Sequence, residues 1–507
     1  MNNINPISNI HPKMKDGYKN VNNNYTNRSS CVFPLFISEI NDVNIVFLNY
    51  WKIKNKIYNV TCNIRIHDEQ GNLIKLFTLN ISEEHYAISI KSILESSTNF
   101  KGIAIVEFIS SENFGFTFPG VTAFYSSNLN YSGVHTAGRI KNPEEKKIPS
   151  EIIETNWNCK WGNGITPFFT IFNGSLQNKN TFIEVKILNS ENNLVVSDNI
   201  PLNLEEPYSN KFFFLDEIFD FNELKIDNDS FIEVKIPFSD FFPRMICGNF
   251  FRKDQFLEVT HSFENQKDNS DYLDAVAKQS NEYRIPSINP IATNSDLNLE
   301  LLFFPTNCIG NVFGKWRSGN FKETLTKSRE SFDWQCGGSE SNLKKIKIKN
   351  GNKIKALDIT QGKIPVRINT NYIYKLNNSN SEFSTDIAAG QITEYFPPKR
   401  FTWGHGIVGK DYKTVIFLTS FSHNKNCRIE SKGKLFLCIG KNKFESSHKI
   451  PIDSGIEINV NEILKDKFDL EQISFISWYY IQEKRTKLIG YWLSYSKTGK
   501  ITGDHAF

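Results

Sequence analysis

The sequence predicts a mainly β protein built from four tandem antiparallel β-sandwiches of immunoglobulin-like type. Three observations carry that expectation. A motif recurs at near-constant spacing, hydrophobic residues alternate with period two, and turn residues fall between the alternating runs.

The recurrence sets the domain boundaries. His135, His261 and His505 close three of four look-alike segments, and Asp386 stands at the matching place in the third, giving intervals of 126, 125 and 119 residues. A second marker precedes each histidine. ISIKSIL ends at Leu94, FFFLDEIF at Phe219 and INVNEIL at Leu464, which lie 41, 42 and 41 residues before His135, His261 and His505. A third marker is an aromatic strand: Phe47 and Phe417 each lie 88 residues before their histidine, and Phe168 lies 93 before His261. Repeats of about 100–125 residues are therefore expected at 31–139, 157–265, 289–390 and 403–507, behind a polar tail of residues 1–30. The third repeat diverges, with Asp in place of His and no NEIL-type segment.

Within a repeat, Ile183, Val185 and Ile187 alternate with Phe182, Glu184 and Lys186, and Ile346 and Ile348 alternate with Lys345 and Lys347. Such alternation places apolar side chains on one sheet face and charges on the other. EQGN at 69–72, SENN at 190–193 and KNGN at 349–352 supply turns. SIKSIL and VNEIL have helical spacing over only a turn or two, so each repeat is expected to hold six to eight strands and one short helical turn. Phe47, Phe168 and Phe417 read as core. The connectors at 139–151 and 264–286 are polar and charged, as surface segments are.

Composition narrows the function. The chain has 507 residues, 59 Lys and Arg against 55 Asp and Glu, and a net charge of +4, which argues against a nucleic-acid partner. The Lys-rich run at 344–355 alternates with Ile and reads as a strand with a guarded outer face. No apolar run reaches the roughly 18–20 residues of a membrane helix. The first 30 residues lack a cationic start followed by an apolar core, so the expected protein is soluble, cytoplasmic or exported by a signal-independent route. Eight cysteines without a CxxC pair fit free thiols in a reducing compartment better than a disulfide scaffold or a zinc finger.

No GxSxG elbow, phosphate loop, HExxH or GxGxxG is present, and no residue is assigned to catalysis. Two constellations remain. The repeat-end histidines could gather by pseudo-symmetry, and His135, His261 and His505 with Asp386 would then offer three nitrogens and a carboxylate to a divalent transition metal. Their plainer reading is structural, with one ring N–H donated to a backbone carbonyl at a domain seam. The second is WGNG at 161–164 and WGHG at 403–406, 242 residues apart. A Trp flanked by glycines in a loop presents a flat face of the kind that binds sugars, so Trp161, Asn163, Trp403 and His405 are candidate ligand contacts. The plainer reading is a loop Trp that plugs the end of a sandwich. The expectation is a non-catalytic tandem β-sandwich protein, binding a glycan or a protein partner or serving as a structural component, with no required cofactor. The alternative is a metal-dependent enzyme or metal-stabilised assembly using the repeat-end histidines.

Overall fold

The computed structural model describes residues 26–507 apart from 96–98, 129, 137, 141–151, 178–181, 225, 228, 237–240, 243, 265–271, 275–276, 280–281, 285–286, 306–308, 320, 328–330, 335–341, 349–352, 366–367, 378–380, 390–396 and 497. Most of the polar tail, most of both connectors, Cys308 and Cys336 lie outside the described residues. The chain divides into two compact units, Asn23–Asn265 and one that holds Gln266–Phe507.

The protein is mainly β, with antiparallel sheets throughout. In the N-terminal unit, β1 (Arg28–Ile37), β2 (Asn41–Leu48), β3 (Thr61–Asp68), β4 (Leu73–Asn80), β5 (His85–Ser89), β6 (Phe100–Ile109), β7 (Val121–Ser127) and β8 (Asn130–His135) form two four-stranded sheets. Their orders are β1-β6-β3-β4 and β5-β2-β7-β8. The first strand thus pairs with the sixth and the seventh with the second, so two long connections tie one sheet to the other. Across the interior the Phe47 ring of β2 meets Phe108 of β6 edge-on at 5.0 Å, and the Tyr125 hydroxyl of β7 donates to the Pro34 carbonyl of β1 at 2.9 Å.

The same order recurs. In the second set, Ile152–Asn158, Phe231–Ile236, Phe182–Leu188 and Leu194–Pro201 are adjacent in one sheet, and Asn210–Phe214, Ile165–Phe172, Ile246–Phe251 and Phe256–His261 in the other. In the C-terminal unit, Ser287–Thr293 and Ile309–Trp316 flank Lys353–Pro365, while Leu297–Phe303, Thr370–Leu376 and Thr385–Ala388 follow Lys344–Ile348. The last set runs Lys399–Val408, Ser474–Thr486, Ser431–Ile439, Asn442–Ile450 in one sheet and Ser454–Asn459, Tyr412–Ser420, Leu488–Ser496, Ile501–His505 in the other. First strands begin at Arg28, Ile152, Ser287 and Lys399, a few residues ahead of the expected starts.

The sequence markers acquire physical meaning here. Each marker segment is a helical turn after the fifth strand: Ile90–Leu94, Leu215–Glu217 and Val460–Leu464. Ser89 Oγ accepts from the Ser92 N–H at 3.0 Å, and Asn459 Oδ1 from the Asn461 N–H at 3.2 Å, so two of the turns start on a side-chain cap. The third set carries a helix elsewhere, Phe321–Lys327, between its third and fourth strands.

Phe47, Phe168 and Phe417 are fully buried, each burial worth about 1.5–3 kcal/mol. In the N-terminal unit one core joins Val32, Ile103 and Ile105 of the first sheet to Phe169, Phe213, Val185 and Val234 of the second pair. In the C-terminal unit Leu299, Leu301, Tyr372 and Tyr374 share a core with Val415, Phe417, Tyr491 and Leu493. The six described cysteines, Cys31, Cys62, Cys159, Cys247, Cys427 and Cys438, are buried. Burial, with Glu107 nearby, pushes the Cys62 thiol up to about 12, which leaves it protonated and unreactive at neutral pH. Among the described residues, no helix is long and apolar enough to cross a membrane.

Candidate functional site

The repeat-end residues fall on the last strand of each set. In the N-terminal unit that brings two histidines together. His135 ends β8, paired to Thr122, and His261 ends Phe256–His261, paired to Ile246. The two strands are tied by the Val259 N–H, which donates to Ser132 Oγ at 2.9 Å. The imidazole rings meet edge to face at 4.7 Å between centroids, and their ligand-capable nitrogens lie within 4.8 Å of each other. His261 is buried and His135 half-buried. His261 Nδ1 donates to the Ser262 carbonyl at 2.9 Å. A carbonyl can only accept, so the proton sits on Nδ1 and the lone pair on Nε2.

Polar groups pack behind that histidine. The Ser262 hydroxyl donates to Glu154, and the Met245 N–H donates to Ser262 Oγ at 3.0 Å. Arg244 Nε stands 3.7 Å from Glu154, and the guanidinium lies 5.3 Å over the Phe263 ring. Gly138 lets the chain leaving β8 run against this cluster: a Cβ there would sit 2.6 Å from the Arg244 carbonyl oxygen.

In the C-terminal unit the corresponding strands are also adjacent. Thr385 Oγ1 donates to the Gly503 carbonyl at 3.3 Å. His505 ends its strand, and its Nδ1 donates to the Ala506 carbonyl at 3.2 Å, as His261 does to Ser262. Asp386 departs from the expected match. It lies two residues before the end of Thr385–Ala388, whereas His135 is the last residue of β8, and its carboxylate accepts from Asn371 Nδ2 at 3.0 Å. The spacing in sequence aligned it with the histidines; the strand register does not.

The Trp motifs separate. Residues 161–164 do form a turn. Gly162, Asn163 and Gly164 have φ of 88°, 52° and 79°, and the Ile165 N–H closes on the Gly162 carbonyl at 2.9 Å. Trp161 is half-buried and stacked on Phe221 at 5.6 Å, while Asn163 is exposed. The loop expected at 403–406 is instead the middle of strand Lys399–Val408. Trp403 is 8% exposed and stacked on Phe507 at 5.4 Å. His405 is fully buried, with Nδ1 3.0 Å from Ser477 Oγ and its carbonyl accepting from Trp478 Nε1 at 3.0 Å. Gly404 is small to admit Trp478, whose ring a Cβ would meet at 2.8 Å, and not to make a turn. The two motifs therefore occupy different places in their sandwiches, and neither Trp403 nor His405 offers a face to a ligand.

Sequence reasoning missed a buried ionic network in the C-terminal unit. Asp358 accepts from Arg317 Nη2 and Ser287 Oγ, both at 2.7 Å, and lies 2.8 Å from His423 Nε2. Arg317 also lies 3.7 Å from Asp453, which Arg428 contacts in turn. Burial alone would raise the Asp358 carboxyl, but Arg317, then His423 and Ser287, outweigh it and hold it below the ordinary carboxylate value. These residues are far apart in sequence, and no spacing signal joins them. The Lys-rich run expected as one strand at 344–355 is instead two strands in different sheets, Lys344–Ile348 and the start of Lys353–Pro365, with the KNGN segment between them outside the described residues; Lys345 and Lys347 lie 3.3 and 3.7 Å from Glu300.

No protein-family model matches the chain, and no curated protein does. Among solved structures, the chain is compared with native α-2-macroglobulin of E. coli at 8% identity and a TM-score of 0.09, covering 92% of this chain and 28% of that one. The trypsin-activated form of the same E. coli protein gives 8% identity and a TM-score of 0.10, covering 92% of this chain and 30% of that one. The chain thus spans under a third of those proteins, and similarity at this level carries no argument about what it does.

Proposed function

We propose that this chain is a non-catalytic β-sandwich protein that binds a protein partner by adding a strand to the open edge of β4, the partner being a second copy of the chain. The observation that carries the reading is the character of that edge. Among the described residues β4 has β3 on one side and no strand on the other. Leu73, Ile74 and Leu76 are 54, 48 and 53% exposed along it. A long edge strand with exposed apolar side chains and unpaired backbone groups is a template for another strand. The matching edge in the last sandwich, Asn442–Ile450, carries Lys443, Glu445, His448 and Lys449, against the single Lys75 of β4; such charges are the usual guard against pairing. Burial of Trp403 and the stacking of Trp161 on Phe221 favour a protein partner over a glycan.

Sedimentation velocity on the full chain across a concentration series tests this. The wild type is expected to associate reversibly, and the double variant Ile74→Lys, Leu76→Lys to weaken association at least about tenfold, or about 1.4 kcal/mol. A wild type that stays monomeric throughout the series, or a double variant that associates unchanged, contradicts it.

A further inference from the structure

We infer that the His135–His261 pair at the seam of the two N-terminal sandwiches is a binding site for a divalent transition ion of the zinc class, acting as a clamp between their last strands. Two imidazoles suit Zn(II), Co(II), Ni(II) or Cu(II), and not the oxygen-seeking Mg(II) or Ca(II). The pair is intrinsic to one unit, and each ring stands at the end of a strand, the two strands being tied by the Val259–Ser132 hydrogen bond.

The tautomer is already set for coordination. With the Nδ1 proton of His261 on the Ser262 carbonyl, Nε2 presents its lone pair. Metal-bound histidines characteristically donate the other ring N–H to a backbone carbonyl or carboxylate, which fixes ring orientation and raises basicity. Behind that carbonyl, Ser262 is held by the Glu154 carboxylate and the Met245 N–H. His261 is thus backed by an ordered polar shell, with Arg244 offsetting the Glu154 charge. Two nitrogens bound at about 2.0–2.1 Å to a tetrahedral ion stand about 3.4 Å apart. The nitrogens start within 4.8 Å of each other, and His135 is half-buried at the end of its strand. Solvent or further donors complete the ion's shell.

The inference stands on observations separate from those for the β4 edge. Its test is titration of the chelator-treated full chain with Zn(II) alone by calorimetry, and with Co(II) followed by its ligand-field absorption. One ion per chain and a raised melting temperature are expected in the wild type. His135→Ala, at a half-buried strand end, should keep the fold by circular dichroism and lose at least about tenfold in affinity. Ser262→Ala serves as a second variant that leaves both rings in place, with a smaller loss of affinity and a shifted Co(II) spectrum. A wild type that takes up no ion, or a folded His135→Ala that binds as the wild type does, overturns the assignment.

Discussion

The two units build the same joint differently. In each, an arginine on or just beyond the third strand meets a carboxylate on the sixth: Arg65 with Glu107 at 2.8 Å, and Arg317 with Asp358 at 2.7 Å. The register is equivalent. Asn63 pairs with Glu107 and Lys315 with Asp358, and each arginine stands two residues further on. In the N-terminal unit the arginine is a quarter exposed and lies 5.3 Å under the Tyr208 ring, which also packs on His67 at 4.7 Å. In the C-terminal unit the place of Tyr208 is taken by Asp453. Both precede the fifth strand with positive φ, 63° and 47°. There the pair is sealed, with Arg317 and Asp358 at 1% and 0% side-chain exposure, and His423 completes it. One backbone register thus supports either an aromatic, partly wet joint or a dry ionic one. The facing residue decides which.

That contrast predicts unequal costs. Removing the charge of Asp358 by Asp358→Asn leaves the buried Arg317 with its hydrogen bond to Ser287 Oγ at 2.8 Å and Asp453 at 3.7 Å as its nearest remaining carboxylate, a loss of about 3 kcal/mol at the low end for a broken buried pair. Glu107→Gln leaves Arg28 and Arg65 free to turn to water and should cost about 1 kcal/mol. Urea unfolding followed separately for the two units checks this. Equal costs would mean that burial does not separate the joints.

A smaller effect distinguishes the joints by pH. Burial is the main cause that lowers His67 below the ordinary imidazole value, against its hydrogen bond to the Gly71 carbonyl at 2.8 Å. The unfolded chain takes up that proton more readily, so this contribution is present above about pH 6.5 and is lost as pH falls from there through the lowered folded value. Asp358 is also lowered, so its contribution persists through that range and is lost only as pH falls through the carboxylate range. The N-terminal joint should therefore soften first on acidification, and His67→Gln should remove that early step. Melting temperatures between neutral and acid pH decide it; the same early step in the variant would count against His67.

The fold was legible because a sandwich repeats its constraints. Alternation at Ile183–Ile187 and the helical turns ending near Leu94 and Leu464 follow from local chemistry that every copy must satisfy. The repeat-end histidines were legible by position, and the pairing of His135 with His261 follows from last strands lying side by side. Asp386 and the 403–406 segment were misread for one reason: sequence distance does not fix strand register. Gly404 and Gly406 resemble a turn, yet both lie in a strand, where Gly404 makes room for the Trp478 ring and Gly406 faces Thr414. The Arg317–Asp358–His423 network was invisible because its members meet only through tertiary packing.

The reading of function rests on β4, and amide hydrogen exchange on the full chain at low and high concentration tests it most directly. Strand addition predicts slowed exchange at Leu73–Asn80 at high concentration, with Asn442–Ile450 unchanged. Exchange at Leu73–Asn80 that does not depend on concentration would contradict it.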